Sequence, residues 1–94
     1  MVEIRWSIDA LDDLESVASY IEQDSPEKAI EFVSEIFEKV EILKDFPHIG
    51  CIFSERNNER IREIIHKNYR IVYEIKNNII ENLIVTHGSR IIRF

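Results

Sequence analysis

The fold of this chain is decided by residues 60–90, which read RIREIIHKNYRIVYEIKNNIIENLIVTHGSR. Apolar residues dominate three extended segments of this stretch, at residues 60–66, 69–75 and 79–87. Segments of this length and composition are typical of β-strands. Lys67-Asn68 and Asn77-Asn78 separate them and predict hairpin turns, because asparagine tolerates positive φ. The stretch therefore predicts three sequential strands of a mostly antiparallel sheet.

Arginines lie in or just after these segments, at Arg62, Arg70 and Arg90. A buried sheet has no need of three guanidinium groups, so we expect something anionic or rich in hydrogen-bond acceptors to meet it. The structural alternative for Arg70 is an ion pair with Glu63 or Glu74. The two interpretations differ in whether the positive charge is available to a ligand.

Upstream of the sheet, the sequence predicts one short strand and two helices. Val2 to Trp6 alternates apolar and charged residues, as a half-buried strand does. Ser7 or Asp9 can cap the first helix, and Ser25-Pro26 restarts a second helix that runs to about Asp45. Apolar residues recur at helical spacing in the first helix at Ile8, Leu11, Leu14, Val17, Ala18 and Ile21, and in the second at Ala29, Phe32, Val33, Ile36, Phe37, Val40 and Leu43.

The predicted fold is α+β, with the element order β-α-α-β-β-β. The short connection between the helices makes them an antiparallel hairpin, which we expect to cover one face of the sheet. The N-terminal strand would return beside a later strand. Residues 48–59 have no clear period, and we expect a surface loop there. The 94 residues predict a single domain, 1–94.

Charge is distributed unevenly along the chain. Residues 1–47 hold four basic and thirteen acidic groups, a balance of −9, and residues 48–94 hold eight basic and five acidic groups, a balance of +3. The net charge of −6 argues against a protein that coats nucleic acid. The lone Cys51, the lack of a secretory signal and the lack of a long apolar run predict a cytoplasmic protein without a membrane span.

Short motifs in a fixed order cover nearly the whole chain. They are Trp6-Ser7, Ala10, Asp13-Leu14, Tyr20-Ile21, Ala29, Phe32, Leu43, Phe46-Pro47-His48-Ile49-Gly50, Arg62-Glu63, Tyr69-Arg70-Ile71-Val72-Tyr73 and His87-Gly88-Ser89-Arg90. In this order they resemble the RelE/ParE toxin superfamily of bacterial type II toxin–antitoxin modules. The Phe-Pro-x-x-Gly and His-Gly-x-Arg pieces are more similar to the ParE branch.

The resemblance implies a small cytoplasmic toxin that a cognate antitoxin neutralises in a hetero-oligomer. ParE-like members bind DNA gyrase, which makes a protein-binding toxin without cofactors the leading hypothesis. RelE-like members cut mRNA on the ribosome, so an endoribonuclease is the first alternative, and an inactive member that only binds antitoxin is the second. We expect the antitoxin to dock on exposed apolar surface and to pair with basic groups of the sheet half.

The expected strand register argues against a nuclease. A two-residue turn at Lys67-Asn68 pairs Ile65 with Arg70 and Glu63 with Val72, which puts Glu63 on the face of Arg70. A carboxylate there would repel a phosphate. A slip of one residue would bring Arg62 to that face instead.

RNA cleavage needs a proton acceptor, a proton donor and cations. If the chain is a nuclease, the candidate catalytic residues are Arg70, Arg90, His66 and His87. In the alternative, purely structural interpretation, His66 lies at the end of a hairpin and His87 ends a strand through local hydrogen bonds. Tyr69 and Tyr73 are expected to pack in the core. Four possible metal ligands have spacings that match no zinc pattern, so no metal is expected: His48, Cys51, His66 and His87.

Overall fold

The computed structural model describes residues 2–53 and 58–88. The elements follow in the order β1 (Glu3–Trp6), α1 (Ile8–Glu22), α2 (Pro26–Glu41), a 3-10 turn (Ile42–Lys44), β2 (Cys51–Ile52), β3 (Ile61–His66), β4 (Tyr69–Lys76) and β5 (Ile79–His87). The α+β class and the order β-α-α-β-β-β are confirmed, with the short β2 as an addition. Within the described ranges, neither helix is long and apolar enough to cross a membrane.

The five described strands form one sheet in the order β1-β5-β4-β3-β2. β1 runs parallel to β5 and returns beside it, as expected, while the other neighbours are antiparallel. The β3–β4 register pairs Ile65 with Arg70 and Glu63 with Val72, so the two-residue turn is confirmed. Lys67 in this turn has a φ of 55°, the left-handed conformation that such a turn requires.

The expectation of a loop over residues 48–59 is wrong for its first part. Cys51 and Ile52 form β2 on the open edge of β3, and the Phe53 N–H donates to Ile61 O at 2.9 Å. The Phe53 side chain is fully buried and packs with Ile61 and Val72 on the sheet face away from the helices. Periodicity misses this segment because a two-residue strand is too short to show one.

Both helices begin at the expected serines. The Ser7 hydroxyl accepts from Ala10 N in α1, and the Ser25 hydroxyl accepts from Lys28 N in α2. The helical segment ends at Asp45, as predicted, although its last turn tightens from an α-helix into the 3-10 turn before Phe46-Pro47. Such tightening is common where helical carbonyls need partners at a helix end.

The larger core lies between the helical hairpin and the sheet. Its buried members are Leu14, Phe32, Ile36, Val40, Leu43, Ile71, Tyr73, Ile80 and Val85. The prediction that Tyr69 and Tyr73 pack in the core is confirmed, with Tyr69 half-buried at its margin. Ile8 and Leu11, which share the predicted apolar stripe of α1, are exposed instead. The face of α1 that contacts the sheet is narrower than the face on which its apolar residues are spread. The side of the helix with Ala10 and Leu14 is the one that is buried.

Hydrogen bonds at a bulge in β5 join the start of α1 to the sheet. Val72 pairs with Ile84 while Tyr73 pairs with Asn82, which leaves Leu83 as the extra residue of β5. The Ser7 hydroxyl donates to Leu83 O at 3.2 Å, and Val85 N donates to the Asp13 carboxylate at 3.1 Å. Polar groups of α1 thus hold the backbone on both sides of the extra residue.

Candidate functional site

Arg70 lies on the sheet face away from the helices. Its Nε and Nη2 donate to Glu63 Oε2 at 3.0 and 2.6 Å, and its guanidinium carbon lies 5.4 Å from the centre of the Phe53 ring. The two side chains of the ion pair are 12% and 17% exposed. The structural alternative for Arg70 is therefore confirmed with Glu63 as the partner. A phosphate could reach this guanidinium only by displacing a carboxylate of the same charge sign.

Arg62 lies on the opposite face of the sheet, toward the helices. Its Nη1 donates to Gly50 O at 2.9 Å and to His48 O at 3.3 Å, while its Nε is buried without a partner in the described structure. Backbone carbonyls of the chain itself therefore accept from Nη1 of this arginine, which meets the hydrogen-bond-acceptor form of the expectation rather than the anionic one. The register also keeps Arg62 off the face of Arg70.

Tyr73 of β4 also bonds to the backbone of residues 47–50. We call Tyr73 and Arg62 together the turn clamp. The Tyr73 hydroxyl donates to Pro47 O at 2.8 Å and accepts from Gly50 N at 3.0 Å. A Cβ on Gly50 would lie 2.5 Å from that hydroxyl oxygen and 2.7 Å from Glu63 O, so only glycine fits. Burial raises the pKa of Tyr73, which keeps the hydroxyl protonated as a donor. The Phe-Pro-x-x-Gly motif is thus a turn whose backbone groups are held by side chains of the sheet.

His66 lies at the end of β3 on the helix face. Its Nε2 donates to Glu35 Oε1 of α2 at 2.9 Å, and Lys67 Nζ lies 3.2 Å from the same oxygen. The hydrogen bond from His66, and then that from Lys67, hold the pKa of Glu35 below its ordinary value. The His66 side chain is 14% exposed and its ring lies against Phe32. These contacts support the structural interpretation, in which His66 stabilises the end of a hairpin.

His87 ends β5 on the same face as His66. Its ring makes an edge contact with Tyr69 at 5.6 Å between centroids, and Tyr69 in turn meets Phe32 at 5.1 Å. Gly88 N donates to Asn68 O at 2.6 Å just beyond it. The sheet therefore brings the two histidines to one end of its helix face and keeps both on the side opposite Arg70. Arg90 lies outside the described residues.

Two features of this region were not foreseen from the sequence. Glu35 was not singled out as the partner of His66, because a helical carboxylate and a strand histidine carry no shared spacing. Thr86, opposite Arg70 in the register, is 6% exposed, and its hydroxyl has no hydrogen bond within the described residues. In residues 2–53 and 58–88, no three His, Cys, Asp or Glu side chains gather closely enough to hold a metal ion.

Comparison with known proteins gives three matches. The model of the family described as "ParE toxin of type II toxin-antitoxin system, parDE" matches residues 4–92. Y4kP of Sinorhizobium fredii (strain NBRC 101917 / NGR234), which is provisionally named a toxin, is 38% identical over 47 residues. That match covers 50% of this chain and 49% of Y4kP, so this chain spans about half the length of that curated relative.

A solved structure from a chromosomal ParDE toxin–antitoxin system of P. aeruginosa has the same fold. It superposes with a TM-score of 0.76, and the match covers 95% of this chain and 98% of the other. The sequences are 22% identical, so this similarity is one of fold.

Proposed function

The chain belongs to the ParE toxin family of type II toxin–antitoxin systems, and from this premise we propose that it acts by binding a protein target rather than by cutting RNA. DNA gyrase is the target that the family resemblance implies. A cognate antitoxin would neutralise the toxin in a hetero-oligomer, and the toxin would meet its target in the cytoplasm once the antitoxin is absent.

The observation that carries this proposal is the separation of the candidate catalytic groups. Arg70 lies on the sheet face away from the helices, whereas His66 and His87 lie on the helix face. A general acid or base must be within hydrogen-bond reach of the proton that it moves, in the same site as the cation that stabilises the phosphate. A sheet one backbone thick separates these groups here, which favours binding over cleavage.

The electrostatics of Arg70 support the same conclusion. Glu63 accepts two hydrogen bonds from its guanidinium, so the pair carries little net charge. A phosphate-binding site needs an excess of positive charge over its surroundings. The face of Arg70 offers a balanced ion pair beside Phe53 and is better suited to a protein surface.

The test compares two activities of the purified toxin. We expect inhibition of supercoiling by gyrase and no cleavage of mRNA in a ribosome-dependent assay. The variants His66→Gln and His87→Gln should inhibit gyrase as the wild type does, since binding a protein target needs no acid or base. Circular dichroism of each variant would show that it is folded.

A second variant separates charge from folding at the other face. Arg70→Gln with Glu63→Gln removes both charges and leaves no unpaired buried ion. Ribosome-dependent cleavage that this double variant abolishes, with gyrase unaffected, would overturn the proposal in favour of the endoribonuclease. Induced expression that leaves growth unchanged in the absence of antitoxin would instead favour an inactive member that only binds antitoxin.

A further inference from the structure

Strand β1 lies at one end of the sheet, and its outer edge pairs with no other strand in residues 2–53 and 58–88. The N–H groups of Glu3 and Ser7 donate inward to carbonyls beside it, at 2.8 and 3.0 Å. Backbone groups of successive residues in a strand point to opposite edges, so those of Val2, Ile4 and Trp6 point outward. They form a row of donors and acceptors to which a further strand can bond.

The charged side chains of this edge have a symmetric arrangement about Ile4. The side chain of Ile4 packs toward the core, whereas Glu3 and Arg5 point to the other sheet face, where they pair with each other. Both side chains are more than half exposed. If two such strands pair antiparallel about Ile4, Glu3 of each copy lies opposite Arg5 of the other. Four charges of alternating sign would then meet across the contact.

The backbone of β1 fits the same arrangement. The outward N–H and C=O of Ile4 would bond to those of Ile4 in a second copy, and Val2 and Trp6 would bond crosswise. A shift of the register by two residues would place Glu3 opposite Glu3, or Arg5 opposite Arg5, and like charges in opposite positions destabilise a strand pair. The register about Ile4 is therefore the one that joins outward backbone groups and opposite charges together.

The net charge of −6 on each copy opposes this contact only at long range. The Debye length is about 8 Å at physiological salt, so repulsion between more distant charges is largely screened. Glu3 and Arg5 of facing strands would have Cβ atoms about 5 Å apart, which is well within that length. The local attraction therefore outlasts the general repulsion as salt is raised to the physiological range.

We propose that β1 binds β1 of a second copy of this chain in a two-fold symmetric, antiparallel pair centred on Ile4. The two sheets become one continuous sheet, with both helical hairpins on one side and both Arg70 side chains on the other. The dimer is weak, because a single short strand from each copy makes a small interface. This goes beyond the proposed function and does not depend on it, since it concerns copies of the chain alone.

The first experiment exchanges the charges of the edge and measures the dimer by sedimentation equilibrium at physiological salt. Glu3→Arg or Arg5→Glu alone places like charges opposite each other twice in each dimer. Either variant should dimerise about tenfold more weakly than the wild type, since two exposed cross-strand pairs change from attraction to repulsion. An equimolar mixture of the two variants restores opposite charges across the contact and should form a heterodimer. The double variant Glu3→Arg/Arg5→Glu should dimerise as the wild type does.

The second experiment locates the contact in the wild-type chain by hydrogen exchange of single backbone amides. The amides of Ile4 and Trp6 should become more protected as the protein concentration rises, because their N–H groups point outward. The amides of Glu3 and Ser7 already donate within the sheet and should change little. Ile52 is the matched control, because it lies in β2, the strand at the other end of the sheet, and its protection should not depend on concentration.

Three results would overturn the proposal. A chain that stays monomeric at its highest soluble concentration would leave this edge to a strand of another protein. A dimer that Glu3→Arg and Arg5→Glu do not weaken, or variants that associate no better when mixed, would show that the contact lies elsewhere. Growth beyond a dimer with protection at Ile52 would show that β1 of one copy pairs with β2 of the next. Gyrase inhibition is measured separately, so each of these results leaves the proposed function standing.

Discussion

At the scale of single residues, Arg62 and Arg70 both bond to groups of the chain itself. Arg62 donates from Nη1 to the carbonyls of His48 and Gly50, and Arg70 donates from Nε and Nη2 to Glu63. Charged hydrogen bonds to such partners are stronger than neutral ones, which makes partly buried arginines useful as structural ties. The same residue type therefore builds the fold at both positions, on opposite faces of one sheet.

The turn clamp gives a direct test at this scale. Tyr73→Phe should lower the free energy of unfolding by about 1–3 kcal/mol, because Gly50 N–H and Pro47 C=O lose their partner in a buried setting. Urea denaturation would measure the change. Tyr20→Phe is the matched control: the side chain of Tyr20 is 69% exposed, and its variant should unfold with the wild type. Equal stability of Tyr73→Phe and the wild type would contradict the role given to this hydroxyl.

Glu35 gives a pH dependence with a defined sign. Its pKa in the folded protein is lowered by the hydrogen bonds from His66 and Lys67, from an ordinary value of 4.5. The stabilisation from the ionised carboxylate is thus fully present above that value and is lost as the pH falls through the folded pKa.

The variant Glu35→Gln should therefore be less stable than the wild type above pH 4.5, and the difference should shrink as the pH is lowered further. Thermal unfolding over a series of acidic buffers would measure it. Glu31→Gln, at an exposed site of the same helix, is the control and should follow the wild type throughout. A difference between wild type and Glu35→Gln that stays constant with pH would show that the ion cluster adds nothing.

At the scale of elements, helix α1 and strand β5 are one unit. Ser7 caps the helix through Ala10 N and also donates to Leu83 O, and Asp13 accepts from Val85 N. The bulge at Leu83 turns backbone groups of β5 away from the ladder, and these side chains take them up. The start of the helix therefore fixes where the strand departs from regular pairing.

This double role predicts unequal costs for two similar caps. Ser7→Ala should lower the free energy of unfolding by about 1–2 kcal/mol, since it removes a cap and a hydrogen bond to the bulge together. Ser25→Ala removes an exposed cap of α2 and should cost about 0.5–1 kcal/mol. Chemical denaturation of both variants under the same conditions would compare them. A larger loss for Ser25→Ala would refute the link between the cap and the bulge.

At the scale of the whole molecule, the acidic helical half covers one sheet face, and the basic excess lies in the sheet half. Large apolar side chains remain exposed on both halves, including Ile30 on α2 and Ile65 on β3. The net charge makes molecules of this protein repel one another, which opposes association through the exposed apolar side chains. The solubility of the chain should therefore follow its charge closely.

The isoelectric point of about 5.0 sets the expected minimum of solubility. Light scattering of the isolated chain should rise as the pH approaches that value from above, where the net charge of −6 is lost. The control is Ile30→Ser, which keeps the charge, removes exposed apolar area and should scatter less at the same pH. A sample that stays monodisperse through the isoelectric point would show that the exposed apolar surface does not drive association.

Much of the fold could be predicted from the sequence because its signals are local. Both caps, the hairpin register through Lys67-Asn68 and the return of β1 depend on short spacings or on chain topology. That register also brings Glu63 to the face of Arg70 as its diagonal neighbour, within reach of a long side chain, so Glu63 could be foreseen as one of two candidate partners. The candidate site was thus partly foreseen, as an arginine that a glutamate balances.

Only the tertiary structure decided the remaining contacts, because their partners lie far apart in the chain. Tyr73 meets Pro47 across 26 residues, His66 meets Glu35 across 31, and Ser7 meets Leu83 across 76. Apolar periodicity could not choose between the Leu11 and Ala10 sides of α1, because either satisfies helical spacing and only packing on β5 selects one. The sequence by itself determined which segments are helices and strands, since neighbouring residues set backbone preference. Folding determined which side chains meet, since contact depends on three-dimensional proximity.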